Sequence, residues 1–168
     1  MSASKRVPRS LPEIARSFFS FGSPRLPGLQ LAIALAARPF LGPLRAADAI
    51  ALAGVIAYWP FQEWFLHKHV LHFKPVRVGR FVIDLPPARA HARHHETPHD
   101  LGQALLPGWA IAILIPVHLL FWKLVAPTRA VASTSVICLG AAALAYEWIH
   151  FVTHTGYRPR TRWFLELK

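Results

Sequence analysis

Cysteine is nearly absent: Cys138 stands alone in a chain of 168 residues. A disulfide framework is excluded, and nothing in the chain signals an oxidising compartment. Acidic residues are also scarce, eight Asp and Glu against nineteen Lys and Arg. A basic surplus of this size suits nucleic acid or an anionic membrane face. No nucleic-acid-binding motif is visible, and the basic residues sit in short segments between apolar runs, so nucleic acid is the weaker partner. There is no H-E-x-x-H, which argues against a zinc peptidase. The amino-terminal stretch has no compact apolar core followed by a small-residue cleavage site, so no signal peptide is expected. The length allows one domain at most.

What the chain has in quantity is apolar sequence, 54% of its residues, more than is usual for a soluble protein of this size. Residues 1–27 carry Lys5, Arg6, Arg9, Arg16 and Arg25 among four prolines. They read as a mobile basic tail whose Phe18, Phe19 and Phe21 touch the membrane interface. Residues 28–168 read as one membrane domain. Gly28 to Leu44 is apolar but broken by Arg38, Pro39, Gly42 and Pro43, which predicts a helix to about Ala37 and then a turn. Ala46 to Leu66 is a fuller span, with Trp59 and Trp64 near its end, where such rings favour the headgroup level. Pro60 predicts a bend.

Residues 73–100 are polar, basic and proline-rich, with Phe81, Val82 and Ile83 expected on the bilayer surface. Leu101 to Ala126 and Ala130 to Val152 are apolar and closely linked through Pro127 and Arg129, the pattern of a helical hairpin. The expected fold is all-α, an integral membrane bundle of about four transmembrane helices, with no sheet beyond incidental pairing. The strongly basic segments are the tail, residues 73–100 and the carboxy-terminal stretch. Four crossings put all of them on one side, and the positive-inside rule makes that side cytoplasmic, with both termini.

Eight of the ten histidines fall in three clusters at borders between apolar and polar sequence: His67, His69 and His72; His91, His94 and His95; His150 and His154. The four-crossing topology brings all three to the cytoplasmic ends of the helices. On a helix His91, His94 and His95 share a face, as do His150 and His154. His67 and His72 are five apart, roughly 140° around an ideal helix. They serve different ions or straddle a distorted turn, and spacing alone equally permits a His69–His72 pair. Imidazole binds iron, zinc, copper or nickel, so the histidines do not name the metal. Glu63 lies one turn before His67, and Glu147 three residues before His150. Either could hold a ligand's other ring nitrogen from the outer shell. His118 and His99 read as an interfacial or capping residue and a loop residue. A single spaced pair of histidines is a weak signal; three clusters at one membrane face are far more specific.

Three strings carry a family resemblance. Glu63-Trp-Phe-Leu-His67-Lys-His-Val-Leu-His72 resembles the first histidine box of the fatty acid hydroxylase superfamily, H-x4-H. His91-Ala-Arg-His94-His95 resembles the second, H-x2-H-H. Tyr146-Glu-Trp-Ile-His150-Phe-Val-Thr-His154 is similar to the third, H-x3-H. The match runs from about Trp59 onward. It implies a membrane-bound non-haem di-iron oxygenase that hydroxylates or desaturates a lipid acyl chain, sterol or carotenoid with O2. Its implied ligands are His67, His72, His91, His94, His95, His150 and His154, and its implied cofactor is two iron ions, with zinc as an alternative occupant in isolated protein. The implied electron donor is a cytochrome b5-like protein or a ferredoxin.

The family pattern continues with a final box. Arg162 to Lys168 resembles the run-up to it, so the expectation is a domain truncated before about three further ligands. Two other readings stand beside this one: an inactive or truncated member with an incomplete metal site, and a histidine-ligated membrane cytochrome. The substrate and the position oxidised are not legible in the residues.

Overall fold

Helices supply nearly all the regular structure in the computed structural model, which describes residues 7–98 and 100–158. Helix α1 spans Leu11–Phe18. Its first turn is held by the Glu13 carboxylate, which accepts from the backbone N–H groups of Arg9 and Ser10 at 3.0 and 3.2 Å. Ile14 and Phe18, four residues apart, share a face and are fully buried against Phe151, Val152, Ala104 and Leu105. Within the segment expected to be a mobile tail, residues 11–18 are held to the core by the apolar face of α1. Phe18 is in that core rather than at a membrane interface, and Phe21 packs on it, whereas Phe19 stays exposed. The expectations for Lys5 and Arg6, and for residues 159–168 with the run-up to a further box, lie outside the described residues, as does His99.

Helix α2, Gly22–Ala37, begins six residues before the expected start. Pro24 sits in its first turn, where a missing N–H removes no intrahelical bond. The helix tightens into a 3-10 turn at Arg38–Leu41 and stops at Gly42, whose φ of 98° only glycine adopts readily. Helix α3 follows at Ala46–Phe65. Asp48 caps it, accepting from the Arg45 N–H at 2.8 Å. The same carboxylate takes the Arg38 guanidinium at 2.9 Å and the Thr134 hydroxyl at 2.6 Å. This cluster pins the end of α2 to the start of α3 and to Thr134, at the end away from the histidine clusters.

After α3 the chain winds into a π-helical turn, Leu66–Leu71. A short antiparallel hairpin follows, with Val76–Val78 as β1 and Phe81–Ile83 as β2 in register Val76 to Ile83 and Val78 to Phe81. Its two-residue turn needs a left-handed first position, and Gly79 supplies it with φ 59°. The whole hairpin is exposed. Helix α4 is Pro86–Glu96, with prolines in its first turn.

Helices α5, Gly108–Val125, and α6, Arg129–Thr153, form the expected hairpin, except that residues 101–107 are turn and loop, so α5 starts at Gly108 and not at Leu101. The Thr128 hydroxyl accepts from the Val131 N–H at 3.2 Å and starts α6. These are the two helices among the described residues that are long and apolar enough to cross a membrane. Ile113, Val117, Leu120 and Leu124, spaced along one face of α5, are all more than half exposed, as lipid-facing side chains would be. α2 has 16 residues, about 24 Å of helix, short of a ~30 Å hydrocarbon core. Neither α2 nor α3 meets the same standard of length and apolarity, so two of the four expected spans stand on it. α6 packs against α1, α2, α3 and α5, and Phe151 and Val152 of its last turn enter the core cluster formed with α1 and the loop at 104–105, which fixes the two histidines beside them.

Candidate metal centre

His67 and His72 are brought together by the π-helical turn. The His72 N–H reaches the His67 carbonyl at 3.1 Å, an i to i+5 bond in place of i+4. That wider turn closes much of the 140° offset of an ideal helix. The two rings stack at 4.8 Å with 17° between planes, and their Nε2 atoms are 2.9 Å apart. The distorted-turn alternative is the one the fold adopts. His69 faces away and packs on the rings of Trp64 and Phe65. His118 is also elsewhere, its Nδ1 bonded to the Leu114 carbonyl at 2.9 Å within α5.

Helix α4 delivers the second cluster. His91 and His95, one turn apart, have Nε2 atoms 2.9 Å apart, and His91 Nε2 is 3.3 Å from His72 Nε2. His67, His72, His91 and His95 thus form one group, half open to solvent, with ligand atoms within 4.8 Å of one another. His94 lies on the same face of α4 and meets His150 and His154 from the last turn of α6, at ring separations of 5.3 and 4.5 Å. These three make a second, deeper group on the same distance criterion. The groups adjoin through His94, whose ring is 5.8 Å from His95 and 6.1 Å from His91.

The residues present fit metal ions on two observations. Nitrogens held ~2.0–2.1 Å from one ion lie ~2.9 Å apart at right angles and ~3.3 Å apart at tetrahedral angles. The four-histidine group shows those separations, 2.9, 3.3 and 2.9 Å, along His67–His72–His91–His95. In the deeper group, His94 is 4% exposed and its Nδ1 has no hydrogen-bond partner. An orphaned buried ring nitrogen costs free energy unless something binds it.

The electrostatics favour neutral imidazole, the form that ligates metal. Burial pushes the His91 pKa down to about 3 from its usual 6.5, and the neighbouring His95, His67, His72 and His94 add to that. His67 and His94 are lowered by burial too, and then by adjacent histidines. A lowered His91 means that between pH 6.5 and 3 the unfolded chain binds a proton the folded chain refuses. The metal-free protein is therefore expected to be most stable above pH 6.5 and to lose stability steadily as pH falls toward 3. Thermal unfolding across that range checks this; the slope should flatten in His91→Gln. An unchanged slope in that variant would show that His91 is not the source.

The two carboxylates singled out from sequence lie beside the deeper group. Glu147 is buried and accepts from the Ser23 hydroxyl at 3.3 Å and from the backbone of Leu106. Glu63 interacts with the Tyr146 hydroxyl. Tyr146 in turn stacks on His150, 6.1 Å between centroids and 14° between planes. His150 also bonds to the backbone of Ala104. Tyr146, Ser23 and the 104–106 loop were not singled out from sequence. For Tyr146 a signal existed, since it precedes His150 by one helical turn. For Ser23 and Ala104 only the tertiary fold brings them near.

Comparison with known proteins gives the same direction. No protein-family model matches the chain, and no solved structure matches it. The chain is similar to fatty acid 2-hydroxylase of Mus musculus, 23% identical over 113 residues, covering 66% of this chain and 29% of that protein. It is 26% identical to the Macaca fascicularis protein of that name over 113 residues, 67% of this chain and 30% of the relative. The Homo sapiens protein is 26% identical over 110 residues, 66% and 29% respectively. The matched region thus spans under a third of the length of these relatives.

Proposed function

We infer that this chain, a member of the fatty acid hydroxylase superfamily, carries the metal-binding core of a membrane lipid hydroxylase. The observation that carries the reading is the convergence of seven histidines, from three separate segments, into two adjoining groups. Each group would hold one iron ion: His67, His72, His91 and His95 one, and His94, His150 and His154 the other. Bound iron would supply the O2 chemistry needed to oxidise an unactivated C–H bond, which no side chain can do alone. Zinc would satisfy the same nitrogens in isolated protein without supplying that chemistry.

The chain's own residues hold and orient. The π-helical turn sets the His67–His72 pair. The Ala104 backbone and the Tyr146 ring fix the His150 imidazole, as outer-shell partners do for metal ligands. Glu147 ties α6 to the start of α2 through Ser23. The more open group faces solvent, which gives an electron donor of the cytochrome b5 or ferredoxin kind an approach, while the apolar faces of the helices meet an acyl chain. A lipid acyl chain is the substrate class we favour, with hydroxylation next to the carboxyl group suggested by the names of the relatives. A membrane cytochrome fits less well. Axial haem ligands sit on opposite sides of one iron, and Nε2 atoms at 2.9–3.3 Å leave no room for a ring between them.

Membranes containing the chain, given a fatty acid, O2 and a reducing system, are expected to form a hydroxy fatty acid, and iron chelation should stop it. Purified protein without bound metal, or equal product under anaerobic conditions, would sink the proposal. The accompanying topology has four crossings with both termini and the histidines cytoplasmic. Single cysteines at positions 45 and 128 should then be labelled from one side, and one at position 85 from the other. Labelling of 45 and 85 from the same side would rule that topology out.

A further inference from the structure

At the end of the bundle remote from the histidine clusters, α2, α5 and α6 line a groove of about 690 Å³. This lies within the ~300–1,000 Å³ of small-molecule sites. The walls along the helices are mostly apolar, with Leu29 and Ile33 from α2 and Leu119 and Trp122 from α5; Gln30 and Ser133 are the polar side chains among them. At the α5–α6 turn the lining changes to Lys123 and Arg129, and no carboxylate lines the groove among the described residues. Neither cation is in an ion pair there: the two acid–base pairs among the described residues are Arg38–Asp48 and Arg89–Asp84.

We propose that this groove binds one anionic phospholipid, with its phosphate on Lys123 and Arg129 and one acyl chain between Leu29, Ile33, Leu119 and Trp122. The segregation argues for that chemistry. A free-standing anion would not use the apolar walls, and a lipid with no net charge would leave the two cations at the end of the span uncompensated. Guanidinium and ammonium groups together suit a phosphodiester at the headgroup level. The position relies on α5 and α6 crossing the bilayer, but not on metal or catalysis. Along α6 the groove residue Val136 is 14 residues from His150, ~21 Å at 1.5 Å per residue. A lipid seated here is therefore separate from any substrate at the histidines and acts as a bound structural lipid.

The full chain purified in mild detergent would be offered phosphatidylglycerol, phosphatidylcholine or oleate and examined by native mass spectrometry. One phosphatidylglycerol is expected to be retained, roughly tenfold more tightly than phosphatidylcholine. The double variant Lys123→Gln with Arg129→Gln should reduce retention to the phosphatidylcholine level. Ala132→Trp, which fills the groove, should abolish it, with metal content and resistance to carbonate extraction unchanged. Equal retention of the two phospholipids would overturn the proposal, as would indifference to both variants. Preference for oleate would overturn it in favour of a carboxylate site. A concentration-dependent dimer dispersed by Ala132→Trp, without lipid loss, would instead assign the groove to a second copy. Extraction of the wild-type chain by carbonate would overturn the spanning reading and this site with it. A metal-free protein that still holds phosphatidylglycerol would count against the hydroxylase reading alone.

Discussion

Replacing His150 with alanine is expected to empty the deeper metal site and leave the outer one filled, halving the metal content. The asymmetry follows from the numbers of ligands. The deeper group has three histidines, His94, His150 and His154, and the outer group four. Loss of one from three leaves two among the described residues, too few to order a site against the entropy of holding them. Loss of one from four leaves three, a set that still binds a metal with an open position. His67→Ala should thus weaken the outer site while retaining measurable metal. His150→Ala should lose the deeper ion by more than the ~10–100-fold typical of removing an outer-shell partner. His69→Ala, whose ring packs on Trp64 and Phe65, should change neither. Metal analysis of the four proteins after identical dialysis checks all of this. Equal metal loss in His67→Ala and His150→Ala would mean a single shared site, and loss in His69→Ala would mean that the wrong histidine has been assigned to the first pair.

Much of this arrangement was legible before any coordinates, because spacing on a helix is arithmetic. His150 and His154, and His91 with His95, meet across one turn as four-residue spacing demands. Spacing leaves the His67–His72 pair open, since an α-helix separates them and a π-turn joins them, and nothing in Leu66–Leu71 marks which helix forms. The α5–α6 hairpin was plain from two apolar runs and a short Pro-Thr-Arg link. The fate of residues 11–18 was not. Basic charge and prolines suggested a loose tail, and the pair that decides otherwise, Ile14 and Phe18, only becomes an apolar face once α6 and the 104–105 loop offer a surface. The short hairpin at 76–83 depends on Gly79 in a left-handed turn, a local feature hidden in a stretch dominated by charge. Membrane spans were readable where the apolar run was long and clean, as in α5. They were less so where Arg38, Asp48 or Pro60 interrupts, because there tertiary pairing and not composition decides whether a polar group can be buried.

The histidine-bearing turn of α6 also packs on α1. Phe151 stands between His150 and His154 on α6 and is fully buried. Its ring packs against Phe18 at 5.5 Å and Phe21 at 5.8 Å, so it is the point at which α1 and the start of α2 are held to the histidine-bearing turn. Phe151→Ala removes a ring from a close-packed cluster that cannot fully collapse around the gap, at a cost of about 3–5 kcal/mol. Since α1 contributes little to the core beyond Ile14 and Phe18, the loss should fall first on its docking. The last turn of α6 then loses the packing that fixes its pitch, and His150 and His154 no longer hold the spacing that a shared ion requires. The expected outcome is a lower unfolding temperature together with selective loss of the deeper metal, while the outer group keeps its ion. Phe151→Leu leaves a smaller gap, so it should cost less than Phe151→Ala and retain both metals. Thermal unfolding and metal content measured on the same preparations separate packing from ligation. A Phe151→Ala protein as stable as the wild type, or one that loses the outer metal first, would show that α1 does not brace the histidines of α6.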